Sequence, residues 1–244
     1  MLDHFGSDDP NDYTKGFPWH PHRGIETVAY MWNGEVEHGD NIGNKDIIQS
    51  GDVQWMTAGS GVIHQEMPKR YDGLMQGFQL WVNLLKKKKM SDPHYRGIKK
   101  EEIPTIKEKG LKINVIAGKI NVTEGPVQCL ATPVEYLDVE LAAKNSFKHS
   151  TAKTWKVFVY AVNASIDVHE KVVLPGQCAL FSEGEQIMVG AKSGARFLFA
   201  AGQPLKETIA WGGPIVMNTQ AELNEAFKEL DEGTFIKTAQ ASRP

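Results

Sequence analysis

The residues of this chain best suited to chemistry are two short pairs. The segment Gly16-Phe-Pro-Trp-His20-Pro-His22 sets two imidazoles two positions apart, and Gly59-Ser-Gly-Val-Ile-His64-Gln-Glu66 does the same with an imidazole and a carboxylate. On a β-strand, residues i and i+2 project from the same face, so each pair presents both side chains to one side of a sheet. Two such strands facing each other across a small barrel direct three nitrogens and one oxygen at a common point. That donor set suits a divalent transition metal: it has the two histidines and carboxylate of non-haem iron sites plus one further histidine, and it leaves up to two octahedral positions open. Manganese, cobalt, nickel and copper accept the same donors, so the residues alone do not choose the ion. No cysteine lies near either pair, which argues against a structural zinc. A lone His-x-His is commonly a surface pair or two satisfied core histidines. Here Pro21 fixes the backbone between the rings, and a second i, i+2 pair follows one small barrel's length later.

Both pairs need strands beneath them, and the surrounding sequence supplies the rhythm. Short apolar runs at 26–32, 47–48, 53–57, 61–66 and 77–84 alternate with breaks at Gly34, Gly39, Gly43-Asn44, Ser50-Gly51 and Gly59-Ser60-Gly61. Such spacing predicts many short antiparallel strands. A polar, lysine-rich stretch over 86–110 reads as an interdomain crossing with some short helix near Lys99 to Glu102. The rhythm then resumes with runs at 111–116, 134–141, 155–162, 166–173, 177–181, 186–189 and 196–200. The expectation is an all-β chain of two similar barrels: residues 1–85 carrying the candidate ligands, 86–110 the crossing, 111–218 a second barrel, and 219–244 a helix and tail. Thr219 and Glu222 form a T-x-x-E capping box, and Leu223, Ala226, Phe227 and Leu230 an apolar stripe. With Gly233 as the stop, these predict one C-terminal helix bracing a barrel.

Composition narrows the function classes. The 244 residues are 41% hydrophobic and 23% charged, ordinary for a globular protein with room for two modest cores. A net charge of -3 with both signs dispersed offers no sustained positive field for a nucleic-acid backbone. The run Lys86 to Lys89 has no interleaved aromatics and reads as a solvated loop. Cys129 and Cys178 stand far apart among apolar residues and read as buried reduced thiols. No segment has the length of a membrane span and the N-terminus lacks a signal-peptide pattern, so the cytoplasm is the expected compartment.

Longer motifs carry a resemblance. His20-Pro-His22-Arg-Gly-Ile-Glu26-Thr, Gly51-Asp-Val-Gln-Trp-Met-Thr-Ala-Gly59, His64-Gln-Glu66-Met-Pro68, Leu80-Trp-Val-Asn-Leu84 and Trp211-Gly-Gly-Pro214 with Met217-Asn-Thr219 resemble the pirin family over nearly the whole chain. The resemblance implies a bicupin fold with one metal, usually iron, held in the first barrel by His20, His22, His64 and Glu66. The general cupin pattern takes its carboxylate from the first motif, here Glu26, which shares strand parity with His20 and His22. The residues alone leave both open, and the resemblance prefers Glu66, with Glu26 left to orient a ligand or hold its strand by a hydrogen bond. The second barrel has His149 but no His-x-His and no later His-x-Glu, so His149 and His169 read as structural or exposed.

Pirins are described as quercetin 2,3-dioxygenases in some organisms and as metal-dependent transcription cofactors or enzyme-binding regulators in others. The first role implies Fe(II), a flavonol such as quercetin and dioxygen, with Glu66 as ligand or general base and Phe17, Trp19, Trp55 and Met56 as pocket walls. The second implies a redox-responsive module that binds a transcription factor or metabolic enzyme, with the nucleus as a further compartment in a eukaryote. Pirins usually carry more strand-forming sequence ahead of the segment matching Asp3-His4-Phe5-Gly6. The first barrel is therefore expected to lack its first strands and to leave an open strand edge that invites pairing.

Overall fold

The structure, a computed structural model, describes residues 1–127 and 132–238. They form two units: Met1–Lys100 together with the chain from Lys206 onward, and Glu101–Leu205 inserted between them. Among the described residues no helix is long and apolar enough to cross a membrane.

The first unit contains β1 (Leu2–Ser7), α1 (Pro10–Tyr13), β2 (Phe17–His22), β3 (Ile25–Asn33), β4 (Glu35–Asp40), β5 (Lys45–Gln49), β6 (Val53–Thr57), β7 (Val62–Pro68), β8 (Met75–Asn83) and β9 (His94–Ile98). The strands make two sheets, in the orders β1-β8-β3-β6-β9 and β2-β7-β4-β5. β3 is rich in β-branched and aromatic residues and is buried along most of its length, as suits a strand with neighbours on both sides. Side chains join the two sheets across the interior: Glu66 on β7 accepts hydrogen bonds from Gln54 on β6 and Gln79 on β8. His38 on β4 stacks on Tyr95 of β9 with ring centroids 4.5 Å apart. The result is a two-sheet cupin barrel. The N-terminal residues supply its outermost strand, β1, which pairs with β8 from Leu2↔Leu80 to Ser7↔Met75.

The chain passes from one sheet to the other at Arg23-Gly24. Gly24 has φ +78°, and a Cβ there would run into the carbonyl oxygen of Val216, so only glycine makes this corner without strain. The corner resets strand parity, and Glu26 therefore belongs to a different sheet from His20 and His22.

The second unit holds β10 (Thr105–Glu108), β11 (Leu111–Ala117), β12 (Lys119–Ile120), β13 (Thr123–Glu124), β14 (Val134–Leu141), β15 (Asn145–Ser150), β16 (Lys156–Ala161), β17 (Ile166–Val168), β18 (Lys171–Val173), β19 (Cys178–Leu180), β20 (Gln186–Ala191) and β21 (Ala195–Gly202). Its main sheets run β10-β11-β14-β21-β16-β19 and β15-β20-β17-β18. They share one core that includes Val139, Phe147, Ile187, Phe197 and Phe199. The expected strand over 166–173 is broken into a hairpin by His169 and Glu170, both with positive φ.

After Lys206 the chain rejoins the first unit, earlier than the boundary expected at 218. A hairpin of β22 (Ala210–Gly212) and β23 (Ile215–Met217) leads into α2 (Gln220–Asp231). The capping box of Thr219 and Glu222 is formed, and Gly233 follows the helix with φ +71°. Leu223 and Ala226 pack with Ile215, Met217 and Phe235, which anchors the helix to the hairpin.

Two expectations are corrected here. Lys86, Lys87 and Lys88 form an exposed 3-10 turn, but Lys89 is buried, its ammonium donating to the carbonyls of Gly24 (2.9 Å) and Val216 (2.8 Å) and to Asn83 Oδ1 (2.6 Å). Cys178 is exposed, on a short strand at the edge of its sheet. Cys129 lies outside the described residues.

Candidate metal centre

β2 and β7 are antiparallel neighbours in one sheet, with His20 directly opposite His64 and His22 opposite Val62. The two ligand pairs thus converge along a sheet face instead of across the barrel, because cross-strand partners on one face stand close enough to touch. Ring centroids of His20 and His64 are 4.3 Å apart, and His22 lies 5.0 Å from each. One nitrogen from each of the three rings falls within 4.8 Å of the others.

Hydrogen bonding fixes the tautomer of two of these rings. His20 Nδ1 donates to the Pro18 carbonyl at 2.8 Å, and His22 Nδ1 donates to the Pro214 carbonyl at 3.2 Å. A carbonyl only accepts, so each Nδ1 carries the proton and each Nε2 keeps a lone pair. His22 Nε2 and both nitrogens of His64 are buried with no hydrogen-bond partner. Burial, then the neighbouring imidazoles, push His22 down to about 4 and His64 well below the ordinary histidine value. Both rings are neutral at pH 7, the protonation state that binds a metal. Unpartnered buried nitrogens are costly, and an ion on them would remove that cost.

Glu66 shares the face of β7 that His64 occupies, but its carboxylate falls outside the grouping of the three rings. Its Oε1 accepts from Gln54 Nε2 and its Oε2 from Gln79 Nε2, both at 3.0 Å, so the carboxylate is held at both oxygens while each keeps a further lone pair. Glu66 groups instead with His38 and His64, whose ligand atoms lie within 4.8 Å of its own. His38 is a residue the sequence reading missed. It lies opposite Glu66 in the β4–β7 register, with Asp40 opposite His64. His38 Nε2 faces Asp40 Oδ2 at 3.4 Å, and Asp40 is itself fixed by the amides of Ile42 and Asn44. The signal that could have found it is a third i, i+2 pair, His38-Gly39-Asp40.

Glu26 belongs to neither group. Its Oε1 accepts from Thr57 Oγ1 at 2.8 Å across the β3–β6 pairing, and burial raises its pKa.

A cavity of about 300 Å³ opens beside the trio, lined by Phe17, His20, His22, Met31, Glu66 and Trp81 among others. Of the four expected wall residues only Phe17 lines it. Trp19 is 54% exposed and borders a separate polar hollow with His38 and Asp40. Met56 is core, packed with Ile25, Ala58 and Val62, and Trp55 points to the opposite face of β6 from Gln54. Trp81, edge-on to His22 at 5.2 Å, supplies the aromatic wall instead.

The second barrel offers no comparable cluster among the described residues. His149 pairs with Glu135 at 2.8 Å and packs against Phe147 and Phe199, while His169 sits in a hairpin turn.

Comparison with known proteins gives one family match towards each end of the chain, the second running past Lys206 into the returning segment. The family model described as "Pirin" matches residues 1–82, and "Pirin C-terminal cupin domain" matches 136–236. The Thermoplasma acidophilum protein named "Putative quercetin 2,3-dioxygenase Ta0133" is 39% identical, covering 96% of this chain and 97% of its own. A "Pirin-like protein" of Caulobacter vibrioides is 38% identical over 96% of this chain and 86% of its own. Among solved structures, a quercetin 2,3-dioxygenase from Acinetobacter baumannii superposes with a TM-score of 0.89 at 34% identity, covering 96% of this chain and 84% of that one. With both cupin barrels, the spacing of the histidine motifs and full-length relatives in agreement, the chain belongs to the pirin family.

Proposed function

We propose that this chain is a metal-dependent dioxygenase acting on a flavonol such as quercetin, with its ion on His20, His22, His64 and Glu66. The observation that carries the reading is His64: a fully buried imidazole with both nitrogens unpartnered, placed among prepared ligands beside an apolar-walled cavity. Relatives named for quercetin 2,3-dioxygenase support the substrate class. Fe(II) is the ion the family resemblance favours, and the same donors accept manganese, cobalt, nickel or copper. A bound ion supplies Lewis acidity and a template for the flavonol hydroxyl and dioxygen. Phe17 and Trp81 offer flat apolar surface to an aromatic ring and keep water from it. Glu66, which accepts from Gln54 and Gln79, either remains a ligand or takes the hydroxyl proton as general base.

Elemental analysis of the purified protein and its His64→Ala variant, followed by oxygen uptake with quercetin on the same samples, tests this. The expected result is a bound ion that disappears in the variant together with the uptake. An ion without uptake favours the other pirin role, a redox-responsive module binding a transcription factor or metabolic enzyme. No ion in the wild-type protein, even after reconstitution, refutes the reading.

A further inference from the structure

We infer that the segment returning from the second unit, Pro214 to Phe235, is the positioning element of His22, a role that rests on the metal reading above. The two histidines of β2 are oriented by different means. His20 bonds a carbonyl two residues away on its own strand, whereas His22 bonds Pro214, 192 residues away. The next two residues are tied to the same segment. The Arg23 carbonyl accepts from the amide of Val216 at 3.1 Å. The Arg23 guanidinium is buried, donating from Nη2 to the Phe235 carbonyl at 2.7 Å, pairing through Nη1 with Glu229 at 2.7 Å, and lying 4.1 Å from the centre of the Phe235 ring. The Gly24 carbonyl shares the Lys89 ammonium with the carbonyl of Val216. Three consecutive residues of the ligand motif are thus fixed to points along one stretch of chain.

The turn that presents Pro214 has its own lock. Trp211 Nε1 donates to the Gly213 carbonyl at 2.7 Å, and Gly213 holds φ +52°. Trp211 is 60% exposed, so this bond shapes the turn without contributing much core. With the Pro214 carbonyl in place, His22 is held as the Nδ1–H tautomer with Nε2 free. When the turn shifts, tautomer and ring direction are both released.

The test uses the full chain with Trp211→Phe and Glu229→Gln, and Glu232→Gln as a control at the C-cap of the same helix, where the carboxylate faces Lys228. Cobalt(II) affinity is measured by competition with a chromogenic chelator, the cobalt d–d bands are recorded, and the His22 tautomer is read by 15N NMR of the metal-free protein. Thermal melts report whether each variant is folded. The expected result is a cobalt Kd raised about tenfold in both test variants, shifted d–d bands, and a His22 tautomer mixture, with the control unchanged. Folded variants that keep the wild-type Kd, bands and tautomer overturn the inference. If the wild-type protein takes up no cobalt, the metal reading fails, and the tautomer in metal-free protein decides the positioning role by itself: unchanged in both variants, it overturns that role too.

Discussion

Lys89→Met deletes a buried ammonium while keeping most of an unbranched side chain. Three acceptors lose this donor: the carbonyls of Gly24 and Val216, and Asn83 Oδ1. Gly24 keeps the amide of Leu84 at 3.3 Å. A buried acceptor left unpaired costs about 1–3 kcal/mol, so for the other two the gross loss is roughly 2–6 kcal/mol. Removing the ammonium also removes its desolvation penalty, several kcal/mol for a buried ion, which leaves a net destabilisation of about 1 kcal/mol. For a chain of this size that lowers the Tm of the first unit by about 2–4 °C. The pH dependence is a second signature. Burial pushes the Lys89 ammonium down to about 8 from 10.5, against the opposing pull of Glu207 and Glu222. Between those two values the unfolded chain binds more protons than the folded one, so this group's contribution to stability rises with pH across that window. Below pH 8 the cost of burying the charge is fully present. Melts followed by near-ultraviolet circular dichroism from pH 7 to 10 should show the wild-type lead over the variant widening above pH 8. An unchanged Tm at pH 7, or parallel pH profiles for the two proteins, would refute the reasoning.

Gln54→Leu or Gln79→Leu frees one oxygen of Glu66, and a metal affinity weakened by about tenfold or more is expected; chelator competition showing the wild-type Kd would remove the carboxylate clamp from the site. Arg196→Met removes the counter-charge of Asp138, which is 1% exposed and receives hydrogen bonds from both Nε and Nη2 while keeping the Asn114 side-chain amide at 2.9 Å, and should cost about 3 kcal/mol. Denaturant melts should assign that loss to the second unit with metal content intact, and a change in metal content would contradict the division. Partial burial holds the Cys178 thiol above its ordinary pKa, so alkylation of the native protein should be slow at pH 7 and accelerate towards pH 10; mass spectrometry of the Cys178 peptide checks this, and a peptide unmodified at both pH values contradicts its exposure.

Strands whose burial follows their composition were legible. Val53–Thr57 and Val134–Leu141 fall where their apolar residues end. β4 was not, because Glu35-Val-Glu-His-Gly-Asp40 turns His38 and Asp40 inward to line a polar interior, so its inner face reads as a turn. The convergence of His20, His22 and His64 was visible as i, i+2 spacing, whereas their placement on neighbouring strands depends on a register that spacing does not encode. Parity could not separate Glu26 from Glu66, since the Gly24 corner resets the count between β2 and β3. The buried role of Lys89 was hidden by its three exposed neighbours, and its acceptors Gly24 and Val216 come from distant parts of the chain.

The return of the chain after Lys206 also sets an order of events during synthesis. His20 and His22 leave the ribosome early, yet the carbonyl that orients His22 is made 192 residues later, after the whole inserted unit. Closing a loop of that length costs entropy before any contact offsets it, and long-range pairing of this kind slows folding. A nascent first barrel must therefore wait with Arg23 lacking Glu229 and Phe235, and with the hairpin missing from the corner at Gly24. Ribosome-bound chains stalled before Trp211 should display this incomplete barrel as a protease-sensitive species, and emergence of the segment through Phe235 is the step that seals it.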